Sequence, residues 1–319
     1  MIHWGIVSSG RIAAQFCQDL AYVKGCIAYG VAARDINHAR AFAAQHCIEH
    51  CYEGYQAMFA DPNIDVVYIA TPHNFHFQNV YDALMAGKHV LCEKPVTVSV
   101  DEWLALAKLA KQKQLLLMEA MWTYFLPAMI KAKQWLYEGR IGKLKHVKVD
   151  FGYPIAFEPS GREYNPDLAG GCLLDMGIYP LAIAHYFVQA PLTELKVIAD
   201  VLPNGVEDDV MMMGRCGEVK INLATSFQCK LSNTAYIIGD KGIIEIPDAF
   251  RASECSLFEL DLLVDHFADN RQSLGYHYEA QEMVNLINQG KIESHVVSHQ
   301  HSLTFQQLLA QVKAMIKLQ

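Results

Sequence analysis

The first 120 residues alternate between short apolar runs and longer amphipathic ones, and that alternation limits the fold more than any other feature. Strand-like runs stand at 2–7 (IHWGIV), 27–33 (IAYGVAA), 65–70 (DVVYIA), 89–93 (HVLCE) and 114–119 (QLLLME). Helical patterns lie between them, and in the clearest Phe77, Val80, Tyr81 and Leu84 share one face at i, i+3, i+4 and i+7. A further helix opens at Ser99 with Glu102 three residues on, the pattern of a capping box. Short apolar strands joined by helices build a parallel sheet covered on both faces. Residues 1–120 are therefore expected to form an α/β unit, a doubly wound Rossmann sheet.

After about residue 120 the pattern changes. A helix is expected over 126–139, a strand from 144 (LKHVKVDFGY) and a helical segment over 175–188. Strand-like runs then follow one another at 194–202, 208–213, 218–228, 233–238 and 242–246. In IIGDKGIIEI two β-branched runs flank Gly-Asp-Lys-Gly, a hairpin signal. Helical patterns near 278–290 and 302–317 close the chain. Strands in succession with flanking helices imply an α+β domain over 121–319, with a large, mostly antiparallel, open-faced sheet. Two domains also suit 319 residues, and a 52% hydrophobic composition supplies both cores.

Composition removes several classes of function. A net charge of −8 without a basic stripe argues against nucleic acid as a partner. No run of about 18 apolar residues reads as a membrane span. The opening MIHWGIVSSG lacks a basic n-region and runs straight into a strand, so no signal peptide is read and the cytoplasm is the expected compartment. Nine cysteines, none in a Cys-x-x-Cys pair, read as reduced packing residues. QHCIEHCYE gathers His46, Cys47, His50 and Cys51, which is dense enough for zinc, but closed zinc sites combine two separated pairs. The segment reads instead as a solvated helix end, and His295, His299 and His301 are discounted in the same way, so no metal is expected.

Candidate cofactor residues sit where strands end. In GIVSSGRIA, Ser8-x-Gly10-x-x-Ala13 stands in place of G-x-G-x-x-G/A, in a strand-turn-helix setting that suits pyrophosphate. Ser8, Ser9, Gly10, Arg11 and Ile12 form this turn; an ordinary βα turn is the other reading. The second strand ends VAARD, with Arg34 near the place where a ribose-binding acid usually stands. A guanidinium there clasps a 2′-phosphate, so NADP is expected with NAD possible; otherwise Arg34 is a surface residue of the next helix. The third strand ends in ATPHNFH, where Thr71, Pro72 and Asn74 could line a cofactor crevice, or Asn74 could simply cap the helix. His76 in the first helical turn is as well explained by a structural role.

Lys94 follows the fourth strand in HVLCEKPVTVS, where Pro95 stops the strand. EKP, GIVSSGRIA, TPHNFH and GGCLLDMGIYP together resemble the Gfo/Idh/MocA oxidoreductase family over nearly the whole chain. WGIVSSG, VAARD, MEAMWT-FLPA, GGCLLDMGIY, LSNTAYIIGDKGIIEI and YEAQ are most similar to its dihydrodiol dehydrogenase and NADP-dependent xylose dehydrogenase group, where a serine for the first glycine is typical. The resemblance implies that Lys94 lies beside the nicotinamide and the substrate hydroxyl, that Glu93 is among the cofactor-binding residues, and that Asp175 and Tyr179 match the Asp-x-Gly-x-His/Tyr motif. It implies that Glu119 and Trp122 stand near cofactor and substrate, and that Arg162 aligns with a substrate-side arginine. Tyr124 departs from the arginine common in relatives. A homodimer through the second-domain sheet is implied as well.

The residue types suit hydride chemistry on an alcohol. A tyrosine, with a pKa of about 10, is a poor base at neutral pH. A nearby ammonium favours the phenolate and makes it useful. The expected enzyme is an NADP-dependent dehydrogenase acting on a hydroxyl of a small sugar or cyclic diol, with Tyr179 and Lys94 handling the proton. Asp175, four residues before Tyr179, would share its helix face. Tyr179 could instead be a core tyrosine. At the level of the whole chain, the alternatives are a dinucleotide-sensing regulator that has lost turnover and a sugar-binding protein without redox chemistry.

Overall fold

The computed structural model describes residues 1–318, which fall into two compact units. The first takes in Met1–Trp122 and Gln272–Gln306, the second Thr123–Arg271 and Gln307–Gln319. Residues 272–306, placed by the sequence reading with the second domain, thus pack into the first.

The first unit runs β1 (Ile2–Val7), α1 (Arg11–Leu20), β2 (Cys26–Ala33), α2 (Ile36–His46), β3 (His50–Glu53), α3 (Tyr55–Phe59), β4 (Val66–Ile69), α4 (His76–Met85), β5 (His89–Glu93), α5 (Val100–Lys113) and β6 (Leu117–Ala120). Its six strands pair in parallel in the order β3-β2-β1-β4-β5-β6. Strand order reverses between β1 and β4, and ligands of such sheets bind at that switch point beyond the carboxyl ends of the strands. All four residues of β4, Val66–Ile69, are buried, as a strand covered on both faces requires.

Two local readings need correction. HCYE is β3, the edge strand beside β2, and not a helix end; α2 stops at His46, with Cys47 left-handed at φ 55°. Four half-polar residues carry too little periodicity to declare an edge strand. The strand expected over 114–119 begins at Leu117, because Gln114 is the left-handed residue that ends α5. At the head of α5, Ser99 Oγ accepts the Glu102 amide, while the Glu102 carboxylate takes the N–H of Val98, one residue earlier than in the usual box.

The second unit contains α6 (Pro127–Tyr137), β7 (Leu144–Gly152), a π-helical turn at Leu173–Gly177 running into α7 (Ile178–Val188), then β8 (Leu192–Val201), β9 (Glu207–Cys216), β10 (Val219–Ser226), β11 (Ala235–Gly239), β12 (Ile243–Ile246), β13 (Glu254–Glu259) and β14 (Leu262–Ala268). The eight strands pair in the order β14-β13-β12-β11-β7-β10-β9-β8, antiparallel except between β10 and β7. β13 and β14 lie between 247 and 277, where the sequence pattern predicts no strand. The Gly-Asp-Lys-Gly hairpin forms as expected, pairing Ile238 with Ile243. A Cβ on Gly239 would lie 1.9 Å from the Ile141 carbonyl oxygen, so only glycine fits that turn.

α7 is apolar all round, as a helix enclosed by its own domain must be. Pro166–Val188 is long and apolar enough to cross a membrane by length and composition alone, but 83% of its most apolar window is buried inside the protein. Helix α8 (Tyr276–Asn288) belongs to the first unit, and α9 (His299–Ile316) follows it.

Candidate active site

In the first unit, the turn after β1 is built for an anion. Ser8 occupies the place of a glycine and adopts φ 105°, a backbone region that side chains rarely enter. Its Oγ accepts the N–H of Gly10 at 3.2 Å, a bond that glycine could not make. Gly10 then caps α1 without any side-chain acceptor, and the first turn, beginning with exposed Arg11 and half-buried Ile12, holds no acidic residue. The amide donors of that turn are those a helix N-terminus offers to an anion.

At the end of β2 the two residues nearest the ribose position divide their work. Asp35 accepts the Asn37 amide at 2.7 Å and caps α2, so its carboxylate is engaged in the fold. Arg34 is exposed, and its charge lowers the Tyr55 phenol pKa that burial raises.

Beyond β4, the Thr71 hydroxyl accepts from Asn79. His76 is fully buried, its two ring nitrogens 2.8 Å from the Pro95 carbonyl and 2.7 Å from the Thr71 carbonyl. It ties two loops together, which is the structural role. Pro72 stands at the start of the 3-10 turn His73–Phe75, so Asn74 lies inside the turn and caps no helix.

Lys94 stands one residue past β5, at the carboxyl edge of the sheet, and is joined to Pro95 by a cis peptide bond. The Glu93 carboxylate accepts the Tyr68 hydroxyl and, at 3.3 Å, the Lys94 amide. Burial, followed by the charge of Glu93, pushes the Glu279 carboxyl far above its ordinary range. Trp122 stacks on Tyr276 at 4.3 Å. Glu119, expected near cofactor and substrate, is fully buried, with an exposure of 0%. Its Oε1 accepts the Val96 amide at 3.0 Å and so holds the loop that carries Lys94.

In the second unit, Arg162 and Asp175 form an ion pair at 3.0 Å, with the Arg162 Nε 3.6 Å from Glu163. Asp175 lies in the π-helical turn and Tyr179 in the first turn of α7. The Tyr179 ring meets Phe151 edge-on at 5.4 Å and Phe250 at 6.0 Å, while those two phenylalanines stack at 4.1 Å. Tyr124, whose identity departs from the common arginine, is a core residue that donates to the Ala182 carbonyl at 2.6 Å and steadies α7. Phe250 was not foreseen, since it falls in no motif or periodic pattern; Glu93 stands in EKP and Glu279 in YEAQ, but nothing local reports that Tyr68 bonds Glu93 or that Glu93 and Glu279 act on one another.

The chain matches the oxidoreductase family with an NAD-binding Rossmann fold over residues 2–121 and the GFO/IDH/MocA C-terminal domain over 129–245. It belongs to the Gfo/Idh/MocA oxidoreductase family. It is 32% identical to the trans-1,2-dihydrobenzene-1,2-diol dehydrogenase of Sus scrofa, over 99% of this chain and 97% of that protein. The Homo sapiens protein of the same name gives the same figures. A D-xylose 1-dehydrogenase (NADP(+)) of Hypocrea jecorina is 39% identical over 56% of this chain and 51% of its own length. Among solved structures, an aldose-aldose oxidoreductase from Caulobacter crescentus superposes with a TM-score of 0.89 at 21% identity, covering 99% of this chain and 97% of that one. At that identity the likeness speaks for the fold.

A dinucleotide, which this family binds, fits the first unit. The amides that open α1 suit a pyrophosphate, and a Cβ on Gly10 would meet nothing closer than the Ser8 Oγ at 3.5 Å. This member of the Gfo/Idh/MocA family is an oxidoreductase whose cofactor half is the Rossmann unit.

Proposed function

We propose that the protein is an NADP-dependent dehydrogenase acting on a hydroxyl of a small sugar or cyclic diol. The observation that carries this reading is the placement of Lys94 just beyond β5, beside the switch point of the parallel sheet. When bound, the nicotinamide supplies or accepts the hydride at its C4. Tyr179 takes the substrate hydroxyl proton as a phenolate, assisted by the Lys94 ammonium, which favours the charged form. Arg162 fixes Asp175 through a charge-assisted bond, and the carboxylate so held orients a substrate hydroxyl. Exposed Arg34, with Asp35 committed to its helix, supports NADP over NAD.

The test is a panel of aldoses and trans-diols with NADP+ and NAD+, followed by absorbance of the reduced cofactor. Turnover with NADP+ is expected, and Lys94→Ala should abolish it while NADPH still binds. Tight NADPH binding without turnover of any panel member would mark a dinucleotide sensor instead, and near-normal turnover by Lys94→Ala would remove the lysine from the chemistry.

The same reading includes a homodimer formed by the open face of the large sheet. Ile198, Met211 and Met213 are exposed there, and the strand register sets Ile198 opposite Met211. Met211→Glu should yield a monomer by light scattering; an unchanged mass would exclude this face. We also place the enzyme in the cytoplasm, a reading supported by nine cysteines that all carry free thiols. Fractionation of cells expressing the tagged chain tests it.

A further inference from the structure

The chain enters the π-helical turn through Gly171, which adopts φ 126°. A carboxylate from another element lies flat against this glycine: a Cβ there would stand 2.4 Å from Glu207 Oε1 and 2.8 Å from its Cδ. Glu207 opens β9 and is buried, and its Oε1 has no hydrogen-bond partner. Burial raises its pKa, while its own amide, the ammonium of Lys313 and the Leu173 amide favour the charged form. A carboxylate held at the start of a helix also meets the positive end of the helix dipole.

Gly171 is the residue on which the Arg162–Asp175 pair hangs. Its N–H donates to the Glu163 carbonyl at 2.9 Å, next to Arg162, and its carbonyl accepts the Asp175 amide at 3.3 Å. Arg162 in turn reaches Asp175 at 3.0 Å. On the far side of the turn Thr225, from β10, bonds the Cys172 carbonyl at 3.4 Å. The helix entry is clamped between β9 and β10, and of Glu207 and Thr225 only Glu207 is ionisable.

We infer that Glu207 is a positioning residue for the reaction: it acts through Gly171 to set where the Asp175 carboxylate stands. This rests on the reading of Asp175 and Tyr179 as reacting groups. Glu207 touches neither substrate nor cofactor in this role, and its work is geometric, where a displacement of about 1 Å can cost on the order of a hundredfold in rate.

The test compares Glu207→Gln, Gly171→Ala, Asp175→Asn and the Glu207→Gln/Asp175→Asn double variant, measuring kcat, KM for sugar, NADPH affinity and the pH midpoint of kcat. Glu207→Gln keeps the side-chain shape and removes the charge; Gly171→Ala disturbs the same contact from the other side and carries the test if the first variant does not fold. The expected result is a kcat about tenfold or more lower, with NADPH affinity within about twofold, and a pH midpoint displaced in the same direction as in Asp175→Asn. In the Asp175→Asn background the Glu207 substitution should cost little more, because its target is already gone. A folded Glu207→Gln with kcat and midpoint unchanged, beside an impaired Asp175→Asn, would overturn the inference and leave the catalytic reading standing. A fully active Asp175→Asn would overturn that reading itself.

Discussion

Glu119, on the edge strand of the parallel sheet, accepts the backbone N–H of Val96 at 3.0 Å and thereby fixes the loop that follows Lys94. The burial of that carboxyl carries an electrostatic cost. Burial raises the Glu119 carboxyl from 4.5 to about 7, with Glu93 adding to the rise and the Ser302 hydroxyl, the Val96 amide and Lys94 opposing it.

The pH dependence of stability follows from that shift. Below pH 4.5 the carboxyl is protonated in both states and costs nothing. As pH rises from 4.5 to about 7 the unfolded chain releases this proton while the folded chain keeps it, so stability falls through that window and levels above it. The full effect is roughly 3 kcal/mol. Glu119→Gln keeps an acceptor for Val96 and has no proton to lose. Urea unfolding at pH 5 and pH 8 should show the wild-type protein losing stability relative to Glu119→Gln; parallel behaviour of the two would refute the shift.

Ser8 makes a different trade. It holds φ 105° and recovers part of the cost through its bond to the Gly10 amide. A side chain held in such a region costs about 1–3 kcal/mol. Ser8→Ala keeps the Cβ and loses the bond, whereas Ser8→Gly relieves the backbone. Ser8→Gly should therefore be the more stable of the two by about 1 kcal/mol or more, and the reverse order in thermal melts would deny the strain.

The residues that were legible from sequence are those whose role is fixed locally. Apolar runs gave the central strands, Pro95 marked the end of β5, and Ser99 with Glu102 marked the start of α5. Lys94, Asp175 and Tyr179, for which the catalytic roles are proposed, stand in short motifs. What stayed hidden depends on partners remote in sequence. β3 needs β2 beside it, and β13 and β14 need each other before their short, partly polar segments become strands. Glu119 looked like a site residue in MEAMWT, yet its neighbours are Val96 and Ser302, and no local pattern reports that. Glu207 sits in an acidic run, GVEDDV, next to the strand expected from 208, and no local pattern reports its contact with Gly171.

Asp19 shows how residues 272–306 join the Rossmann unit. Its buried carboxylate accepts the amides of Leu274 at 2.9 Å, Gly275 at 2.7 Å and Tyr276 at 2.8 Å, satisfying the start of α8. Gly275 itself supplies no side-chain cap. Removing an acceptor that serves several buried donors leaves them unsatisfied. Asp19→Ala should cost about 3 kcal/mol in chemical denaturation, and hydrogen exchange should quicken first in the opening turn of α8. A loss under about 0.5 kcal/mol would mean that water replaces the carboxylate freely.

Arg34 sets the last expectation, which concerns the choice between two cofactors. NADP and NAD differ by a ribose 2′-phosphate, and Arg34 is exposed at the end of β2 where that group is read in sheets of this order. The neighbouring acid is committed elsewhere, since Asp35 caps α2 through the Asn37 amide. A charged hydrogen bond contributes about 1.5–3 kcal/mol, or roughly tenfold to a hundredfold in affinity. Arg34→Ala should therefore raise the KM for NADP+ by about that factor while the KM for NAD+ moves less than about threefold. Stability should not change, because the side chain lies in solvent. The measurement is initial rate against each cofactor at saturating substrate. Equal losses with both cofactors would mean that Arg34 serves the adenosine they share, and the preference would then have to be sought in other residues of that strand end.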